Sequence, residues 1–172
     1  MKKLLTLIAL TCASSAFAAN PYVGASIGYL IDGEEDFYTF RVGTEIAQDK
    51  SLTHSLEGEI GYTSEKESGL KLEVIPVMAN YRLTGGLGTN TNFRFYSGAG
   101  LGFSRQKLTG WVRDDAWTFA GQVFGGVETS LTPRTSATLG ARYLWLNKYT
   151  IANVGIGSTD DVAIELGIHF RL

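Results

Sequence analysis

Asp161-Val162-Ala163-Ile164-Glu165-Leu166-Gly167-Ile168-His169-Phe170-Arg171-Leu172 alternates with period two. Val162, Ile164, Leu166, Ile168, Phe170 and Leu172 fall on one face; Glu165, His169 and Arg171 fall on the other. That period marks a β-strand between two different environments, because successive side chains leave the pleat on opposite sides. The same alternation recurs over 21–31, 37–46, 52–63, 70–83, 92–104, 117–131 and 135–146, so eight strands are expected, the last being 161–172. Each is about ten residues or somewhat longer, enough for a tilted strand to cross a bilayer. After residue 19 there is no convincing 3.6-residue period and no apolar run long enough for a membrane helix.

Composition narrows the class. The chain has 172 residues, enough for one domain, with 21 glycines, 3 prolines and a single cysteine. Glycine is enriched over its usual share of about 7%, while scarce proline argues against collagen or a disordered linker. One cysteine excludes a disulfide scaffold and a cysteine zinc site. A formal charge of −2 argues against a nucleic-acid partner. Residues 1–18 read as a secretory leader: Lys2 and Lys3, the apolar stretch Leu4–Leu10, then Ala16-Phe17-Ala18 before the expected cleavage. The mature chain, 19–172, then forms one domain without cysteine.

Alternation alone fits a water-soluble barrel or sandwich as well as a membrane barrel. Four features favour the membrane. Strand charges are mostly Arg and Glu, which pair in confined space, whereas all but one of the mature lysines fall in expected turns or loops. Aromatic residues gather at strand ends: Tyr29, Tyr38, Tyr62, Phe103, Trp117, Tyr143 and Trp145 at one rim, Tyr81, Phe93 and Phe170 at the other. Connections alternate between short turns (47–51, 84–91, 131–135) and longer loops (104–116, 147–160). Finally, Gly167, Phe170 and Leu172 lie in a terminal octapeptide resembling the signal read by the outer-membrane assembly machinery, with Leu172 where an aromatic is usual.

The mature chain therefore resembles the small eight-stranded barrels of the OmpA-transmembrane and OmpX type. Pro21-Tyr22-Val23-Gly24-Ala25-Ser26-Ile27-Gly28-Tyr29 is similar to their first strand and Phe95-Tyr96-Ser97-Gly98-Ala99-Gly100-Leu101-Gly102 to their fifth. The resemblance implies an all-β, up-and-down antiparallel transmembrane barrel in the bacterial outer membrane. It also implies contact with outer-membrane lipids and lipopolysaccharide, a monomer, and no cofactor. No further domain is expected after Leu172.

On this architecture Arg41, Arg82, Arg94, Arg142 and Arg171 face Glu45, Glu57, Glu59, Glu128 and Glu165 across one lumen. Eight strands leave a lumen that side chains can fill. Position along the strands places Arg41 and Arg142 in the outer half with Glu57, Glu59 and Glu165. Arg82, Arg94 and Arg171 fall in the inner half with Glu45 and Glu128. Glycines on strands one and five make room for long chains or, alternatively, for a water pocket. In 70–83 the phases of Lys71/Glu73 and Asn80/Arg82 disagree, which predicts a β-bulge near Ile75–Pro76; the alternative is a straight strand with Lys71 and Glu73 above the membrane.

An enzyme is not expected. His54 and His169 are the only histidines, both fall toward the inner rim, and Ser55 points away from His54. The same scarcity leaves no metal site. The acidic loops 32–36 and 64–68 read as solvated tips, and Trp111 as either a partner contact or part of the rim. The function expected is a structural barrel of the envelope; the alternatives are a small-solute pore or a surface adhesin.

Overall fold

The computed structural model describes residues 20–49, 51–67, 69–87, 90–110, 113–151 and 154–172. The expected leader, 1–18, and Trp111 lie outside them. Eight strands close into one antiparallel barrel: β1 (Pro21–Leu30), β2 (Glu35–Asp49), β3 (Leu52–Glu67), β4 (Leu70–Leu87), β5 (Asn90–Thr109), β6 (Asp114–Ser130), β7 (Thr135–Leu146) and β10 (Thr159–Arg171). Sequential strands pair up to β7, which pairs β10, and β10 returns to β1 from Tyr22↔Arg171 to Leu30↔Ala163. Closure leaves no sheet edge, as the hydrocarbon layer requires. A small hairpin, β8 (Tyr149–Ile151) and β9 (Val154–Ile156), forms within the β7–β10 connection, with Ile151 buried.

The barrel is inside out relative to a water-soluble fold. Leu166 is 61% exposed on the outer face, while Arg142 is 1% exposed inside. Such burial of charge beneath an apolar exterior is expected where the outer solvent is lipid.

Expectations about strand length, connections and lysine placement are corrected. The strands run further than the alternation indicated: β3 to β6 have 16, 18, 20 and 17 residues, against 10 in β1 and 12 in β7. Much of the expected loop 104–116 is β-ladder, with Lys107↔Asp115 paired, and the expected turn 84–91 is mostly strand, with Leu87↔Asn90 paired. Polar residues interrupt the hydrophobic pattern there, but the hairpin ladder continues into water. Lys66 and Lys107 accordingly join Lys71 in strands, on the extensions beyond the aromatic rim.

The bulge at Ile75–Pro76 is absent. Ile60↔Val77 and Thr63↔Val74 lie in one frame on the β3 side, and Ile75↔Arg105, Pro76↔Ser104 and Val77↔Phe103 in one frame on the β5 side. The β3–β4 pairing skips the residues beside Pro76 and resumes unshifted, so the missing donor costs ladder contacts without changing register. Gly61 makes this possible: a Cβ there would lie 2.8 Å from the proline ring. Lys71 and Glu73 therefore face outward, and Val74 packs inward beside Met78, Ala120 and Leu146. Register shifts occur instead between Glu45 and Ala47 and between Gly86 and Leu87.

The connections after β2 (50–51), β4 (88–89) and β6 (131–134) are short, while the opposite mouth carries 31–34, 110–113 and the long 147–158 segment. In outer-membrane barrels the short turns are periplasmic, so residues 20 and 172 sit at the periplasmic mouth.

Candidate functional site: the ion-paired lumen

Arg142 of β7 is the hub of the outer ionic layer. Its Nε donates to Glu165 Oε1 at 2.6 Å and Nη2 to Glu59 Oε2 at 3.0 Å. Nη1 donates to Glu59 Oε1 and to Gln122 Oε1. The guanidinium also lies 5.6 Å from the Phe37 ring and 5.5 Å from the Phe124 ring. One side chain thus ties β7 to β3 across the lumen as well as to its neighbours β6 and β10. Arg41 completes the layer, 3.5 Å from both Glu59 and Glu165. Two arginines and two glutamates cancel in charge, and Gln122 extends the network to Asn80 at 2.7 Å.

A second layer lies nearer the periplasm. Arg82 reaches Glu128 at 2.7 Å and Glu57 at 3.5 Å, stacking 4.2 Å from the Tyr96 ring centre. Tyr22 donates to Glu57 at 2.6 Å. Glu57 therefore belongs to this inner layer, not to the outer one expected for it. It pairs with Asn80 across the ladder, and Arg82, two residues on, is its diagonal neighbour within reach of a long side chain. Arg171 pairs with Glu45 at 3.3 Å at the mouth.

Arg94 departs from the ionic expectation. It faces Glu128 across the ladder but donates to Thr53 at 3.1 Å, and among the described residues no carboxylate lies within 4 Å of it. Arg82 already holds Glu128 Oε2.

Glycine supplies the space. A Cβ at Gly28 would lie 2.9 Å from Glu165 Cγ, while one at Gly24 would enter the His169 ring and one at Gly98 the Phe124 ring. Toward the outer mouth the lining turns apolar, with Leu30, Phe37 and Ala163 in one cluster and Met78, Ala120 and Leu146 in another. Toward the periplasm it opens into a cavity of about 60 Å³ bordered by Arg82, Arg94, Arg134, Arg171, Glu45 and Glu128.

Sequence reasoning missed Tyr22, Phe37, Phe124 and Met78 as lining residues. Their numbering parity already matched Gly24, Thr39, Gln122 and Asn80; apolar or aromatic character concealed it. Above the outer rim, Glu73 accepts from Lys71 at 2.8 Å and Lys107 at 3.0 Å, and these lysines hold its carboxyl down at about 2. His54 faces outward against Tyr81, away from Ser55, which is buried in the lumen. His169 is buried in the lumen near Arg82 and 3.8 Å from Glu128. Among the described residues no group of three His, Cys, Asp or Glu is placed to hold a metal ion.

The fold and its interior define a small transmembrane β-barrel with a lumen packed by paired charges. The chain belongs to the outer membrane protein beta-barrel domain family, whose model matches residues 4–170. That membership implies the bacterial outer membrane. Among solved structures it is similar to outer membrane protein H (OprH) of Pseudomonas aeruginosa, with TM-score 0.61 and 19% identity over 90% of this chain and 100% of that one. The N-terminal β-barrel domain of Pseudomonas aeruginosa OprF gives 0.56 and 14% over 90% and 98%. Neisserial surface protein A (NspA) gives 0.54 and 17% over 89% and 95%. At these identities the likeness is one of fold. None of the curated proteins matches the sequence.

Proposed function

We propose that this protein is a sealed structural barrel of the outer envelope, exported by its leader and inserted as a monomer among lipids and lipopolysaccharide, without catalytic or cofactor chemistry. Arg142 carries the reading: it is 1% exposed and joined to Glu59 across the lumen and to Glu165 and Gln122 on the two neighbouring strands. Phe37, Met78 and Leu146, on the outer side of that hub, add an apolar barrier to ions. In planar bilayers the purified protein is expected to give no steady single-channel current at neutral pH; a reproducible ohmic conductance would replace this reading with a small-solute pore.

Gly167, Phe170 and Leu172 serve as the assembly signal in the same proposal. Phe170 is 44% exposed on the lipid face, whereas Arg171 lies at the mouth. Phe170→Asp is expected to cut the heat-modifiable outer-membrane fraction several-fold, with Arg171→Ala near wild type and both mature chains beginning at Ala19. Equal loss in both variants would remove Phe170 from that role.

A further inference from the structure

The periplasmic cavity has more positive charge than its carboxylates neutralise. Arg82, Arg94, Arg134 and Arg171 border it, with Glu45 and Glu128. Glu57 faces Arg82 at the inner layer and brings the count to four cations and three anions. The excess is local, since the whole chain is net acidic at −2. Arg82 and Arg171 are engaged by carboxylates. Among the described residues neither Arg94 nor Arg134 has a carboxylate within 4 Å, and both residues border the same cavity. Arg134 is held there by the turn after β6: its N–H donates to Thr132 Oγ1 at 3.2 Å and its carbonyl accepts from the Arg171 N–H at 2.8 Å.

We infer that this vestibule is a phosphate-binding site entered from the periplasm, with Arg94 and Arg134 as its principal cationic donors. Guanidinium forks suit oxyanions, giving paired charge-assisted hydrogen bonds to adjacent oxygens. A phosphate group offers several such oxygens to donors arriving from different strands. Thr53 Oγ1 supports Arg94 at 3.1 Å. The volume of about 60 Å³ suits the ligand, since one water needs only about 10–15 Å³ on this measure. The outer ionic layer and the apolar clusters lie beyond the cavity toward the outside, so the site is entered from the periplasmic side. It does not depend on whether the barrel conducts.

The test titrates inorganic phosphate into the full-length protein in dodecyl maltoside, a detergent without phosphate, at ionic strength held constant with chloride. Saturable one-site heat is expected. Arg94→Gln and Arg134→Gln should each weaken it at least tenfold while leaving the heat-modifiable band intact, because neither guanidinium is ion-paired. Dihexanoyl-phosphatidylglycerol is then added as competitor. Displacement assigns the site to a lipid headgroup phosphate and its failure to a soluble phosphate, both within the proposal. No saturable binding, an equal signal from sulfate-free chloride alone, or unchanged binding in the double variant would overturn it.

Discussion

Arg142→Ala is expected to lower the heat-modified unfolding temperature further than alanine at any other lumen arginine, by the equivalent of about 3–5 kcal/mol, the usual cost of removing one partner from a buried ion pair. The change leaves Glu59 and Glu165 with Arg41 as their remaining cation, 3.5 Å from each. It also frees Gln122 Oε1 from its donor. Two carboxylates around one arginine in a confined space repel each other and lose the donors that Arg142 supplied to both. Arg142→Ala combined with Glu165→Gln removes one of those charges, so the pair should regain part of the loss, as coupled neighbours do. Arg171→Ala is the contrast, because the Arg171 side chain is 49% exposed and screened by water. Strictly additive effects of Arg142→Ala and Glu165→Gln would mean that the layer is hydrated and its members act independently.

Gly126→Ala is expected to prevent closure of the barrel. Gly126 lies directly opposite Gly140 in the β6–β7 ladder. A Cβ at Gly126 would overlap the Leu139 carbonyl oxygen and stand 2.5 Å from the Gly140 Cα. Those atoms are backbone, and relief requires the two strands to separate where their hydrogen bonds hold them. Overpacking costs roughly 1–3 kcal/mol where side chains can adjust and more where they cannot; here the outcome should be loss of the heat-modifiable folded band on refolding into micelles. Gly58→Ala is the control: its Cβ would meet only Val42 Cγ2, at 3.9 Å. A wild-type folded yield for Gly126→Ala would show that β6 and β7 are looser than their register implies.

The first expectation depends on residues whose partners lie far away in sequence. Glu59 and Arg142 are 83 residues apart, and Arg82 and Glu128 are 46 apart. Parity along each strand was enough to put all ten charged residues of the expected network on the inner face, because a strand reverses its side chains at every residue. Depth was harder. Counting from strand ends put Arg41 and Arg142 beside Glu59 and Glu165, where they lie, but it misplaced Glu57. Strand tilt and stagger shift the level of one strand against the next, and the diagonal reach to Arg82 settles its partner. Arg94 was expected to pair and does not, since one carboxylate oxygen of Glu128 is already taken by Arg82.

The linear pattern was sufficient for the number of barrel strands, their two faces and the inside-out distribution of charge, because these follow from local alternation and from lipid as the outer solvent. It was insufficient where neighbours decide. Pro76 looked like a bulge in isolation, yet Gly61 opposite it leaves room for the ring and the register holds on both sides. The ends of β3 to β6 looked like loops because their side chains are polar, yet the ladder hydrogen bonds of paired hairpins continue regardless of side-chain polarity. Tyr22, Phe37 and Phe124 share the parity of the polar lumen face, but their aromatic chemistry hid them; inside, Tyr22 donates to Glu57 and the Arg142 guanidinium lies against Phe37 and Phe124. Closure brings together the two ends of the sheet, and with them the charges that fill the lumen, through contacts that no local stretch of the chain contains.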